Sequence, residues 1–455
     1  MTSTTKQLRR RATRTLAFGA ITALALTGCS VSADRAPVSN TIDYWLWDTS
    51  QLPSYQKCAD QFEEANPDLK VNITQYGWND YWGKLTASFI AGTGPDVFTN
   101  HVTQYPQFVS LDVLAPLDDF EAINEVDQQA FQEGLTELWT GSDGHQYGMP
   151  KDWDTIAVFY NEELFKEAGI TAQELSSSAW NPQDGGSFEQ LLAHLTVDAN
   201  GVRGDEPGFD KSRIKIYGMG LSEAGGGQNG QGQWAGFAAT NGWKATNQPL
   251  WGDSYNYDDP RLHETLDWYF GLVDKGYVPA YGQFNSSDGT LGQLTSGAVA
   301  MVTDGAWMNS AYASSERPIS TARLPKGPDG TSKSPINGLA DSVVKSSDNP
   351  EAASKWVAHM ASEQCQRTVA ENGVVFPARK DATDITSEVY ASLGLNPESF
   401  TDPIDDGNTF YLAVTDHGAD VIALLGPAFE DLWANRTPAS GLTRTNEAVN
   451  KIFAK

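Results

Sequence analysis

Apolar and polar positions alternate from Thr41 to Trp47, with Ile42, Tyr44 and Leu46 on one side and Asp43, Trp45 and Trp47 on the other. That period of two predicts a strand. Pro53 then opens a stretch in which Tyr55, Cys58, Ala59 and Phe62 recur at helical spacing, until Asn66-Pro67 stops it. Val71 and Ile73 alternate in a second strand, and Trp82, Leu85, Phe89 and Ile90 are spaced for a second helix. Strands alternating with helices predict an α/β fold on a largely parallel sheet. A ligand reaches such a sheet beyond the carboxyl ends of its strands, where Trp47, Asp48, Tyr76, Trp78, Asn100 and His101 stand. Between Trp180 and Tyr257 the chain turns rich in Gly, Asn and Gln, which predicts long ordered loops. Periodicity returns at Asp348-Asn349-Pro350-Glu351, an N-cap, an early Pro and an acid. The helix it starts is expected to run past Trp356 and Met360, with Cys365 near its C-terminal end.

At 455 residues the chain is long enough for two domains or one bilobed body. Its 31 basic residues face 58 acidic ones, a net charge of −27 that repels nucleic acid. Hydrophobic residues at 40% and aromatics at 11% exclude disorder as the main state, and the 14 Trp offer stacking surfaces. Lys6, Arg9, Arg10, Arg11 and Arg14 precede an apolar run from Leu16 to Leu26, so residues 1–28 are expected to be a signal peptide, too short for a stable membrane span. Without it, 26 basic and 58 acidic residues remain, a net charge of −32. Leu26-Thr27-Gly28-Cys29 resembles the bacterial lipobox, which implies a lipid on Cys29, and residues 29–40 are small and polar, a flexible tether. The body is then expected on the extracellular side of the cytoplasmic membrane, anchored by that lipid. Arg9 to Arg11 fit twin-arginine export, but Ala12 and Thr13 lack the apolar character it needs, so the route stays open.

With Cys29 lipidated, Cys58 and Cys365 are left in an oxidising compartment; a disulfide is the economical reading and two buried thiols the alternative. The six His, at 101, 145, 194, 263, 359 and 417, stand singly, and there is no HExxH pair or Cys/His ligand spacing. Neither a metal site nor a cofactor is expected, and no nucleophile elbow or phosphate loop appears. Gly225, Gly227 and Gly230 fit G-x-G-x-x-G, but Gln231-Gly232-Gln233 opens no helix, which favours a polar loop over a dinucleotide site. Asp152 and Asp154, two apart on a strand, point the same way. Such a pair is what a glycoside hydrolase needs. Sugar hydroxyls need the same acceptors for simple binding, and binding without turnover is the expected use.

Five stretches, in order, carry a family resemblance: GTGPDVF from Gly92, GMPKDWDTIAVFYNEELFKEAG from Gly148, AMVTDGAWM from Ala300, LPKGPDGT from Leu324, and NGLADSVV with NPEAASKW from Asn337. Through them the chain, from Thr41 to Leu442, resembles the extracellular solute-binding proteins of bacterial ABC importers, in the carbohydrate-binding, maltose-binding-protein-like branch. The resemblance implies an α/β two-lobed periplasmic-binding-protein-like clamp (a Venus flytrap), each lobe a central sheet flanked by helices, with three hinge crossings. Lobe one is expected over 41–152 and 338–377, and lobe two over 153–337 and 378–455. Crossings are expected near Asp152 to Thr155, Ile336 to Leu339 and Phe376 to Lys380. Cys58 and Cys365 then share lobe one, which supports their bridge. The implied partners are a carbohydrate in the cleft and the membrane permease subunits that recognise the closed, monomeric receptor.

A sugar presents apolar C–H faces that aromatic rings cover and an edge of hydroxyls that Asp, Asn and Lys hydrogen-bond. By motif position the resemblance brings over Asp96, Asp154 and Trp307, and less directly Lys151, Trp153, Asp304 and Asn337. Position at strand ends adds Trp47, Tyr76, Trp78 and Asn100, with His101 more ordinarily a backbone-satisfied core residue. Trp234, Trp243 and Trp251 lie in the Gly-rich region, from which Trp234 and Trp251 are expected to reach the cleft. A secreted glycoside hydrolase, or a receptor for a non-sugar solute, are the competing readings.

Overall fold

The computed structural model describes residues 40–221, 227–284 and 289–454. The expected signal peptide, Cys29 and nearly all of the tether lie outside the described residues. Among the described residues twelve strands form two sheets: β1 (Thr41–Leu46), β2 (Lys70–Gln75), β3 (Val97–His101), β4 (Met149–Asp154), β5 (Ile156–Asn161), β6 (Val197–Asp198), β7 (Ile214–Met219), β8 (Val299–Gly305), β9 (Ile319–Ala322), β10 (Ser334–Val343), β11 (Phe376–Pro377) and β12 (Thr409–Tyr411). The first sheet has the order β11-β4-β10-β3-β1-β2, with β12 added to β10, and the second has the order β6-β7-β8-β5-β9. Each sheet is the centre of one lobe of a mixed α/β clamp.

The alternation read at β1 is the burial pattern observed: Ile42, Tyr44 and Leu46 are buried and Asp43 is exposed. The helix Leu52–Ala65 presents Tyr55, Cys58, Ala59 and Phe62 to the core and ends where Asn66 Nδ2 donates to the Phe62 carbonyl at 2.9 Å. The sheets are less parallel than expected. β1 runs parallel to β2 and β3, but β10 is antiparallel to both β3 and β4. The physical reason is connectivity: β10 re-enters the first sheet from the second lobe, opposite in direction to the crossover strands.

Chain crossings follow the sheets. Thr155 alone separates β4 of the first sheet from β5 of the second, and residues 323–333 return the chain from β9 to β10. The third crossing comes later than expected. Helix Lys380–Ser392 packs on β11 and on helix Glu363–Asn372, so it stays with the first lobe, and the chain reaches the second only with helix Glu398–Asp405 on β5 and β9. The helix opened by Asn349, whose side chain accepts the Ala352 N–H, ends at Met360. Ser362 then caps a separate helix, Glu363–Asn372, and it is this helix that carries Cys365. Its sulfur is bonded to that of Cys58 at 2.10 Å, tying helices from the two ends of the first lobe's sequence.

Candidate functional site

Trp47 follows β1, Tyr76 and Trp78 follow β2, and His101 ends β3, so the parallel order of these strands gathers four rings at one edge of the first sheet. Gly77 precedes helix Trp78–Ala91, and the helical repeat adds Tyr81 and Trp82 to Trp78 on one face. Trp47 is the centre of this wall: its ring lies 5.1 Å from Trp78, 5.1 Å from Tyr81, 5.3 Å from Trp82 and 6.3 Å from His101. Tyr76 extends the wall through Trp45 at 4.9 Å, with the Lys84 ammonium 5.3 Å above its ring. Trp78 is 43% exposed, the most exposed Trp of the group. His101 is held by Thr103, its Nδ1 2.9 Å from that hydroxyl, and burial lowers its pKa to about 4, so the imidazole is neutral at physiological pH.

At the β4 end of the same sheet lies a buried polar cluster. In the pairing of β4 with β10, Asp152 opposes Leu339 and Pro150 opposes Ala340, which leaves Lys151 as the extra residue of a β-bulge. A bulge re-aims its side chain. The Lys151 ammonium sits 4.2 Å over the Tyr55 ring and donates to Thr99 Oγ1 at 3.1 Å. Asp341, on β10, accepts from Tyr44 Oη at 2.8 Å, and burial raises its pKa to about 6 despite Lys151 nearby. Burial pushes Asp152 up to about 7, with Lys151 and the Leu339 N–H opposing. Asp154 is pushed well above the carboxylate range by burial and then by Asp152, while the Asn337 amide donates to it at 3.3 Å. Asp152 Oδ2, Asp154 Oδ1 and Asn337 Oδ1 are buried acceptors without a protein donor. Such atoms suit hydroxyl donors, or the protons that the raised pKa values place on the carboxyls themselves.

The second lobe contributes Asp304 and Trp307 from the end of β8. Asp304 is satisfied within its own lobe by the Gly305 N–H at 2.9 Å, Tyr312 Oη at 3.1 Å and Thr290 Oγ1, and burial raises its pKa to about 6. It stands opposite Ala157 in the pairing of β8 with β5, which places the end of β8 beside the first crossing. Trp307 is partly buried, its ring folded over Gly305, where an added Cβ would lie 1.8 Å from a ring carbon. Only glycine leaves that space.

Five expected residues stand elsewhere. Asp96 lies at the amino end of β3, the far end of the sheet from Trp47 and His101; its carboxylate accepts the Asp43 N–H at 2.9 Å and the Ser347 hydroxyl at 2.5 Å, a structural tie. Asn100 is turned inward, its amide donating to Ser342 Oγ at 3.1 Å and its oxygen accepting the His101 N–H. Trp234 is 0% exposed and stacked on Phe429 at 5.2 Å, a core residue of the second lobe, with Trp243 packed against it. Trp251 reaches across to the first lobe, where its indole donates to the Thr140 carbonyl at 2.8 Å. Trp153 also serves the core, stacked on Phe376 at 4.4 Å. Conversely, Tyr81, Trp82, Tyr55 and Asp341 belong to the two clusters although neither a motif nor a strand end points to them. For Tyr81 and Trp82 the signal was present in their spacing from Trp78. Among the described residues no group of three or more His, Cys, Asp or Glu could hold a metal ion, and no helix is long and apolar enough to cross a membrane.

An arabinooligosaccharide-binding protein of Bacillus subtilis is 25% identical over 158 residues, 34% of this chain and 36% of that protein's length. A galactooligosaccharide-binding protein of the same species is 24% identical over 362 residues, covering 78% of this chain and 77% of its own. Among solved structures, the ABC substrate-binding protein Lmo0181 of Listeria monocytogenes in complex with cycloalternan superposes with a TM-score of 0.75 at 19% identity, over 91% of this chain and 99% of that one, a likeness of fold. The profile of the bacterial extracellular solute-binding protein family matches residues 57–398. With the two-sheet clamp and that match over most of its length, the chain belongs to the bacterial extracellular solute-binding protein family.

Proposed function

We propose that this protein is a lipid-anchored extracellular receptor that binds a neutral sugar, an oligosaccharide, between its lobes and delivers it to an ABC-type permease without chemical turnover. The observation that carries this reading is the aromatic wall of Trp47, Tyr76, Trp78, Tyr81 and Trp82 at the carboxyl ends of the first sheet, with Trp78 open to solvent. Rings of this kind stack on the C–H faces of a pyranose or furanose. The acceptors at Asp152, Asp154 and Asn337 suit hydroxyl donors, and Lys151 is engaged with Tyr55 and Thr99 rather than free for an anion. The oligosaccharide-binding names of the two Bacillus relatives favour the same class. Leu26-Thr27-Gly28-Cys29 supports the lipid anchor.

A thermal-shift scan of the body from Ala33 onward against mono- and oligosaccharides, amino acids and glycerophosphodiesters tests it, each sample being chromatographed afterwards. Ligand at 100 times its Kd adds about 2.7 kcal/mol, which moves Tm by a few degrees. A selective shift with the sugar intact supports a receptor. Consumption of the sugar makes the protein a hydrolase, and a response confined to the other solutes overturns the sugar reading.

A further inference from the structure

In the first sheet β10 is antiparallel to both its neighbours, so β4, β3, β1 and β2 all run the same way and end on one edge. The strand registers set the residues of that edge in a row. Asp154 pairs with Asn337, and Asp152 pairs with Leu339, which pairs in turn with His101. The match of Trp45 with Phe98, carried forward, puts Asp48 level with His101. That of Leu46 with Gln75, carried one step on, puts Trp47 level with Tyr76. The acceptors at the hinge and the aromatic wall are therefore the two ends of one line.

The line changes character along its length. At the β4 end Asp154 Oδ1 and Asn337 Oδ1 are buried acceptors without a donor, and Thr155 closes the row by leading straight into the second lobe. At the other end the rings of Trp47 and Trp78 meet, and Trp78 is open to solvent. His101 stands midway. Its Nδ1 accepts the Thr103 N–H at 3.2 Å, so the proton of the neutral ring is on Nε2, a donor with no partner among the described residues. β4 and β1 lie three strand spacings apart, about 14 Å. With single bonds of about 1.5 Å, a sugar ring and its linking oxygen advance about 5 Å. One ring therefore reaches one end of the row, and about three are needed to reach both.

We propose that the site selects its ligand by length: a terminal sugar is seated at Asp154 and Asn337, the chain passes His101, and a later unit of the same chain stacks on Trp78. This rests on the sugar reading of the site and adds to it a threshold of about three units. The two ends act as linked sites, so engaging the second gains far more than lengthening a chain that already spans them. Because the Trp78 end is open, further units run out into solvent and neither help nor hinder.

The test is calorimetric titration of the purified protein with linear oligosaccharides of increasing length, from a single sugar to about five units, built of glucose, galactose and arabinose in turn. In the series that binds, Kd is expected to fall about a hundredfold or more from a single sugar to the three-unit chain, and to change by less than about threefold beyond it. A single sugar too weak to titrate beside a three-unit chain that binds meets the same expectation. Trp78→Ala, at an exposed position, should raise the Kd of the three-unit chain about tenfold and leave that of the single sugar unmoved, whereas Asp154→Asn should raise both. A single sugar bound as tightly as the three-unit chain, or a Trp78→Ala variant that weakens every length alike, overturns selection by length and leaves the sugar reading standing. Binding of no saccharide in any series overturns both. Trp78→Ala decides the matter where Asp154→Asn does not fold.

Discussion

Asp152 is 1% exposed, yet one of its carboxyl oxygens has no donor and the other has only the Leu339 N–H at 3.3 Å. Burial, ahead of Asp341 and Asp48, raises its pKa to about 7, against the lowering pull of Lys151. In the unfolded chain the same group titrates near about 3.9. The folded state thus holds this proton more tightly than the unfolded state. Its contribution to stability is complete below about pH 3.9 and is lost as the pH rises through 7. At 1.36 kcal/mol per pKa unit, the gap amounts to about 4 kcal/mol, a ceiling reached only above pH 7. Asp152→Asn keeps the volume and the acceptor for Leu339 but cannot ionise. The variant should match the parent near pH 4 and exceed it increasingly toward pH 8, by up to that ceiling. Guanidinium unfolding at three pH values between these limits measures the difference, and the subtraction cancels the opposing contributions of other carboxylates. Curves that run parallel across the range would refute the assignment of a raised pKa to Asp152.

Trp78→Ala, at an exposed position, should leave the fold intact and weaken saccharide binding by about 1–3 kcal/mol, the usual worth of one stacking ring; an unchanged Kd by calorimetry removes Trp78 from the site. Gly305→Ala should drive the Trp307 ring from its place, read as altered tryptophan fluorescence and a lower Tm, since the new methyl would sit 1.8 Å from a ring carbon; superposable spectra would contradict that packing. Replacing Cys58 and Cys365 together by Ser releases a bridge across a separation of 307 residues, for which chain entropy gives about 6 kcal/mol at most. Loss of well under a third of that in denaturant unfolding would show that the unfolded chain is restrained by other means.

What could be read from the sequence was local. The alternation at Thr41–Leu46 and the spacing of Tyr55, Cys58, Ala59 and Phe62 depend on residues a few positions apart, and the elements formed where they fall. The direction of β10, by contrast, is fixed by a return from the second lobe that no window of sequence displays. The same limit governs the tryptophans. Trp78 and Trp234 both follow glycine-bearing segments, yet one is open and the other lies on Phe429, a partner nearly two hundred positions away. Asp96 follows the Gly-Thr-Gly-Pro loop, and only the pairing of β3 with β1 on one side and β10 on the other reveals that it faces Asp43 and Ser347. The bulge at Lys151 is likewise a property of two strands together. The break between Met360 and Glu363 was legible, since Ser362 is a standard N-cap, but the longer apolar pattern concealed it.

One group of buried polar residues gathers where the two sheets join. Three carboxyls with raised pKa values, Asp152, Asp154 and Asp304, flank Thr155, the single residue between the two sheets. Thr155 itself is tied to the second lobe, its hydroxyl donating to the Phe400 carbonyl at 2.8 Å and its carbonyl accepting the Ala306 N–H at 3.2 Å. Acceptors left without donors at a hinge destabilise the state that contains them. A core that needed only to be stable would fill these positions with apolar residues at no loss. Carboxyls kept buried where the lobes join fit a site in which local stability has been given up for work done between the lobes. On this account a ligand hydroxyl, or a rotation about Thr155, has more to gain at Asp152, Asp154 and Asn337 than at any well-satisfied site in either lobe.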